Sequence, residues 1–303
     1  MTKNGMTSGR ISKIHYKLPG DSNVKAKVNN VKASAHTHSL LIKSPLQNNF
    51  PKQSEFIINN VLPCNKVNTF ETTKALNASA AEFIISIGSK AIAARGVFNI
   101  VLSGGSTPLW VYALLAQPSF CNRIDWNRTF VFWGDERCVS LDDERNNAHM
   151  ANLLLFYKVK ISSANIYRIP VDLAPEEAAK KYEDDLIDLF GNQKIRFDLV
   201  LLGLGENGHT ASLFPGTKVA DDQTEGVREV YIEEEKMFRV TMTAPMINRA
   251  RTILFLVTGE HKAEMLKKVF DLSFQADKIP AQLINPLEGE LYWFVDSNAA
   301  SLV

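Results

Sequence analysis

In Gly203-Leu-Gly-Glu-Asn-Gly-His-Thr-Ala-Ser-Leu-Phe-Pro-Gly216, three glycines and a histidine follow at once on the apolar run Phe197-Asp-Leu-Val-Leu-Leu202. A short, mostly apolar run of this kind predicts a strand buried on both faces, as in a parallel sheet. Residues 210–214 have room for one helical turn before Pro215-Gly216 stops it. A buried strand thus ends in a glycine-rich turn that delivers His209 at its carboxyl end, the edge at which open α/β sheets bind ligands.

Gly203, Gly205 and Gly208 also spell G-x-G-x-x-G, the dinucleotide fingerprint. That fingerprint needs a long helix after the third glycine and a second strand ending in an acid. Pro215-Gly216 cuts the helix off, and residues 217–226 are polar without an apolar stripe. The other reading is that the glycines let backbone approach a small ligand while His209 transfers a proton. A plain loop or capping histidine is the third.

Outward from this stretch, strands and helices alternate. A helix is expected from Asn68, with Asn68 as cap, Glu71 at its third position and Gly96 as its stop. Residues 98–102 read as a buried strand running into Ser103-Gly-Gly-Ser-Thr-Pro108, with a helix over 109–115 and Pro108 in its first turn. A strand, a Gly-Gly turn with hydroxyls and a helix start form an anion cradle, although no Walker sequence is present. Residues 129–133 predict a strand ending in Gly134-Asp-Glu-Arg137. There a solvated charge run and a functional rim both remain open, and Arg137 is placed to pair with one of its neighbouring acids. Further expectations are a helix over 146–156, a short strand over 166–169, and a helix over 175–190 bounded by Pro175 and Gly191. After the glycine-rich stretch come strands over 237–243 and 252–257, a helix over 260–270 carrying Lys262 in its first turn, and a last strand over 291–295. Such alternation gives a mostly parallel α/β sheet with helices on both faces.

Composition narrows the classes. The chain has 303 residues, 45% of them hydrophobic, with a net charge of +1. Residues 1–54 hold nine Lys/Arg and one acid, Asp21, leaving 25 basic against 32 acidic residues beyond, a net of −7. A mildly acidic body without a basic stripe excludes nucleic acid as the expected partner. Residues 1–54, rich in Lys, Asn and Ser, read as a disordered or loosely packed extension, and 55–303 as one domain. The extension fits a cytoplasmic tail. Its shortage of acids also fits a targeting segment, although Arg10 is its only arginine. Cys64, Cys121 and Cys138 are scattered and odd in number, which fits a reducing compartment. No spacing suits structural zinc, and no apolar run reaches the ~18 residues of a membrane span.

Four strand ends are expected on one rim: Ser103, Gly104, Gly105, Ser106 and Thr107; Asp135 to Arg137; Gly205, Asn207, Gly208 and His209; and Gly259 to Lys262. Glycine amides, hydroxyls, Arg, Lys and His gathered there suit a phosphorylated small molecule, with His209 for proton transfer. These motifs, with Arg239-Val-Thr241, Asn248-Arg-Ala250 and Thr258-Gly-Glu-His-Lys-Ala263, together resemble the glucosamine-6-phosphate isomerase/6-phosphogluconolactonase superfamily over residues 68–298, and its lactonase branch in particular. The resemblance implies a modified Rossmann-like sheet. It also implies hydrolysis of 6-phospho-D-glucono-1,5-lactone in the oxidative pentose phosphate pathway, without metal or organic cofactor. Deaminases of the superfamily carry Asp-Glu-Tyr and Gly-His-Ile-Ala-Phe where this chain has Asp135-Glu-Arg137 and Gly208-His-Thr-Ala-Ser212. Many lactonases have Asp where this chain has Asn207. The roles implied are His209 as general base, Arg137 with backbone amides at the oxyanion, Asp135 as an orienting group, and Arg239 and Lys262 with the Ser103–Thr107 turn on the phosphate and hydroxyls. A sugar-phosphate isomerase/deaminase is the alternative enzyme. A nicotinamide oxidoreductase and a catalytically dead sugar-phosphate sensor are the other classes. A monomer or a small homo-oligomer is expected.

Overall fold

The computed structural model describes residues 65–303 apart from 192, 272, 274–277 and 287. The expected basic extension, 1–54, lies outside the described residues. In chain order the elements are β1 (Asn65–Phe70), α1 (Thr73–Arg95), β2 (Phe98–Leu102), α2 (Ser106–Leu115), α3 (Pro118–Cys121), β3 (Thr129–Trp133), β4 (Asp135–Arg137), α4 (Asn147–Leu154) and α5 (Pro175–Phe190). They continue with β5 (Leu199–Gly203), β6 (Val227–Ile232), β7 (Met237–Met242), α6 (Ala244–Asn248), β8 (Thr252–Val257), α7 (Ala263–Phe270) and β9 (Glu290–Asp296).

Six strands form a sheet in the order β1-β9-β8-β5-β2-β3 with every pairing parallel. Helices cover it, so its central strands are buried on both faces. All six residues of β8 are buried, as are the first four of β5. The Phe255 and Trp293 rings stack at 3.8 Å on adjacent strands of this core. From β2 the chain moves outward to β3, then crosses back to lay β5 on the other side of β2. That reversal opens a crevice at the carboxyl ends of β2 and β5, the switch point of an open α/β sheet. The four strands whose ends were expected to meet, β3, β2, β5 and β8, are consecutive neighbours.

A second sheet of three antiparallel strands, β4-β7-β6, accompanies the first. Gly134 joins the two. Its N–H donates to Leu102 of β2 and its carbonyl accepts from Met242 of β7, while the chain passes from β3 into β4. Asp135 to Arg137 is therefore a strand paired with Thr241 to Arg239, and Asp135 and Glu136 are buried. The solvated-loop reading of this charge run is set aside.

Other expectations need correction. Residues 65–70 pair with β9 as an edge strand, and α1 starts later, with Thr72 Oγ1 accepting from Ala75 N at 3.1 Å. Tertiary pairing, with Phe70 packed on Phe294, overrides the Asn68 cap signal. Gly96 ends the helix as expected. Residues 166–169 make one isolated bridge, Val131 to Ile166, and no strand. Residues 210–214 form no helical turn. Thr210 and Leu213 bridge each other, and Ala211 takes the left-handed conformation. The strand β6, in which Glu229 to Ile232 alternate between exposed and buried, is a further element beyond those expected. Among the described residues, no helix is long and apolar enough to cross a membrane.

Candidate active site

The crevice at the switch point is a cleft of about 540 Å³ lined by residues from all four strand ends. Ser103 to Thr107 form one wall. The Tyr112 hydroxyl clasps the start of this turn, accepting from Ser103 N at 3.1 Å and donating to Ser103 O at 2.8 Å. The Ser103 Oγ is buried with no partner among the described residues. Gly105 occupies the cap position of α2, so the amides of the helix start face the cleft wall. A Cβ on Gly104 would lie 2.6 Å from Cγ of Asn147, so only glycine permits the close approach of that side chain.

Asn147 was not singled out from sequence. Its Nδ2 donates to Asp135 O at 2.9 Å, and its Oδ1 accepts from Arg137 Nη1 at 2.9 Å. It locks the Ser103 turn, β4 and the arginine together. Arg137 Nη1 also donates to Arg145 O at 2.7 Å, while its Nε is buried with no partner among the described residues. The expected pairing of Arg137 with Asp135 or Glu136 is not what the structure places there. Strand alternation sends Glu136 to the opposite face, where its carboxylate accepts from the backbone N–H groups of Arg137, Asn147 and Ala148 at the start of α4. Burial pushes the Glu136 carboxyl up to about 7, against those three donors.

Asp135 pairs with Arg239. Its Oδ2 accepts from Ser212 Oγ at 2.6 Å and lies 3.5 Å from Arg239 Nη1. Glu235, from the β6–β7 hairpin, takes the rest of that guanidinium. Its Oε1 accepts from Nη2 at 2.7 Å, and its Oε2 accepts from Nη2 at 2.5 Å and from Nε at 3.1 Å. Burial works against the Glu235 charge, but the Arg239 fork, with the nearby Arg137, holds its carboxyl below the ordinary value. Arg239 was expected as an open phosphate anchor. It lines the cleft, but it is buried and its donors face two carboxylates and Ser212 Oγ.

His209 stands at the carboxyl end of β5. One side of its ring stacks on Phe214 at 4.0 Å and 13°. Gly205 is packed so closely that a Cβ there would lie 2.7 Å from the imidazole Cγ. Asn207 Oδ1 receives His209 N at 3.2 Å and sits 2.6 Å from His209 Nδ1. A backbone N–H only donates, so the shared Asn207 atom is its acceptor oxygen. Nδ1 must then carry a proton, which leaves Nε2 as the unprotonated nitrogen. Burial, with the charges of Arg239 and Lys262 adding to it against Asp135 and Glu235, lowers the His209 pKa to about 4. Gly208 was expected in the binding wall, but it faces Ile279 and Met265 instead.

The last wall follows β8. Thr258 Oγ1, also missed from sequence, shares a hydrogen bond of 2.7 Å with Thr107 Oγ1 and ties the two rim turns. Lys262 lines the cleft from the turn Glu260–Lys262. Burial lowers its pKa, partly countered by Glu206, and it makes no ion pair among the described residues. The arrangement offers a neutral imidazole, an arginine with an uncommitted buried edge, a lysine and a helix start around one cleft. It suits an anionic substrate with a group open to attack by water.

Residues 71–293 match the family described as glucosamine-6-phosphate isomerases/6-phosphogluconolactonase. The chain is 42% identical over 216 residues to the 6-phosphogluconolactonase of Synechocystis, covering 70% of this chain and 87% of that protein. It is 35% identical over 247 residues to a protein of Oryza sativa subsp. indica named "Probable 6-phosphogluconolactonase 4, chloroplastic", covering 77% and 75%. Its fold is similar to the solved 6-phosphogluconolactonase of Trypanosoma cruzi, with a TM-score of 0.71 and 27% identity, covering 78% of this chain and 96% of that one.

Proposed function

The chain belongs to the glucosamine-6-phosphate isomerase/6-phosphogluconolactonase family, and we propose that it is a 6-phosphogluconolactonase whose attacking water is activated by His209. The substrate is 6-phospho-D-glucono-1,5-lactone, the product 6-phospho-D-gluconate, and the setting the oxidative pentose phosphate pathway. The observation that carries the base assignment is the paired acceptance at Asn207 Oδ1. It fixes the tautomer and leaves Nε2 as the basic nitrogen. Asn207 thus performs by hydrogen bonding what an Asp at this position would do with charge.

In this reading Nε2 takes a proton from water as its oxygen attacks C1. The tetrahedral oxyanion is met by the uncommitted edge of Arg137, and the imidazolium returns the proton to the departing ring oxygen. Lys262 and the amides at the start of α2 hold the phosphate, fixing the lactone for attack. No covalent intermediate is needed, because the ester is already activated. Asp135 orients Ser212 and Arg239 and transfers no proton. Sequence residues 1–54 are proposed as an appendage outside the catalytic body, a tail or a targeting segment.

The isomerase/deaminase alternative needs a carboxylate free to move a proton between carbons. Asp135 is held by Ser212 and Arg239, and Glu136 by three backbone amides, which favours the lactonase. The test is an assay on freshly generated 6-phosphogluconolactone, with spontaneous opening subtracted, beside ammonia release from glucosamine 6-phosphate. Enzymatic lactone opening without ammonia is expected. Ammonia release at rates rivalling lactone opening would promote Asp135 to catalytic base and defeat the reading.

A further inference from the structure

The strand register sets Arg239 of β7 directly opposite Arg137 of β4, yet the two guanidinium groups are used differently. Arg137 keeps a buried Nε with no partner among the described residues, whereas Arg239 is shared between Glu235 on one edge and Asp135 with Ser212 on the other. An incoming phosphate would have to displace a bidentate carboxylate from a side chain that is only 6% exposed. What Arg239 does reach is Phe214. Its guanidinium carbon lies over that ring, 5.3 Å from the centroid. The same ring carries the His209 imidazole at 4.0 Å.

We propose that Arg239 is a positioning residue: held by Glu235 and Asp135, it braces the Phe214 ring on which His209 stacks, and it does not bind the substrate phosphate. This rests on the reading of His209 as the base. The physical basis is a clamp. Gly205 leaves the imidazole no room on its Nδ1 side and Phe214 covers a face of the ring, while Asn207 fixes its rotation. Phe214 is itself almost fully buried. It can hold the imidazole plane only if its own ring is held, and a cation drawn to the π face does this without a covalent tie. The charged groups facing His209 are Arg239 and Glu235 from β7 and its hairpin, Asp135 from β4 and Lys262 from the turn after β8. Arg239 therefore also offsets the two carboxylates, which would otherwise favour the imidazolium.

The experiment is a pair of double-mutant cycles. Arg239→Lys keeps the charge but loses the planar fork, and Phe214→Leu removes the platform while leaving every charge in place. Each is made alone and with His209→Ala, and kcat, KM for the lactone and inhibition by inorganic phosphate are measured. The single variants are expected to lose kcat by ~10-fold or more, with KM and the phosphate inhibition constant within about threefold of wild type. In the His209→Ala background neither should lower the residual rate further, because residues that act as a unit are not additive. A tenfold rise (about 1.4 kcal/mol of binding) in KM and in the phosphate inhibition constant with kcat intact would make Arg239 an anchor and overturn the proposal. The same factor lost in both backgrounds would also overturn it, leaving the His209 reading in place. A His209→Ala enzyme with wild-type turnover would remove that reading and this one together. If Arg239→Lys does not fold, Phe214→Leu decides alone.

Discussion

Replacing Gly205 by alanine probes the active-site geometry at one atom. Gly205 is not at a positive φ, so alanine brings no backbone strain. The added methyl would instead lie 2.7 Å from His209 Cγ and nearer still to Nδ1 and Cε1, where ordinary contact begins at 3.4 Å. The imidazole must therefore move by 0.7 Å at Cγ and further at its nitrogens, on the order of 1 Å. Phe214, stacked at 4.0 Å, blocks retreat along the ring normal. The side chain must swing, breaking its bond to Asn207 and its stacking. A displacement of about 1 Å at a reacting group costs ~10²-fold in rate, or about 2.7 kcal/mol of barrier. The stability cost is smaller, one hydrogen bond and one aromatic contact at about 1 kcal/mol each. At about 2–4 °C per kcal/mol for a body of this size, Tm falls by a few degrees. Stopped-flow measurement of kcat on fresh lactone, with a thermal melt, checks both numbers. A Gly205→Ala enzyme whose kcat stays within about threefold of wild type, with the fold intact, would refute the clamp.

Asn207→Asp places a carboxylate on Nδ1 and favours the imidazolium. With His209 as the base, the neutral form is the active one, so the rate is expected to be flat above the His209 pKa and to fall below it. The wild-type acid limb, at about pH 4 in the free enzyme, should move upward in kcat/KM, and an unmoved limb would detach His209 from that profile. Lys262→Ala should raise KM by ~10-fold or more with kcat nearly unchanged, through loss of a charge-assisted bond worth about 1.5–3 kcal/mol. Equal efficiency on non-phosphorylated gluconolactone would cancel that assignment. Asp135→Asn should cost less than about tenfold in kcat, since Glu235 still holds Arg239; a loss matching His209→Ala would make Asp135 part of the proton transfer.

The central strands were readable because a parallel strand buried on both faces is an unbroken apolar run, as in β5 and β8. The edge strand β1 was not. In Asn65-Lys-Val-Asn-Thr-Phe70 four of the six residues are polar, and its partner β9 lies at the far end of the chain. Likewise β6 needs β7 beside it before its alternation has meaning. In the site, sequence order was enough to place His209, the Ser103 turn and Lys262 on one rim, because strand ends of one parallel sheet share an edge. Partnership was not legible. Arg239 looks like an anchor until Glu235, four residues away across a hairpin, is seen to occupy it. Asn147 carries no motif. Its signal was indirect, an Asn146 cap ahead of a helix that must start close to Gly104.

The most direct test of the account is the turnover of His209→Ala on freshly generated 6-phosphogluconolactone, with spontaneous hydrolysis subtracted. His209 is partly buried and stands at the rim of the cleft, so the variant should fold. Its kcat should fall by ~10²–10⁴-fold, the range for removal of a general base, with KM little changed. A folded variant that keeps near wild-type kcat would contradict the claim that His209 activates the water.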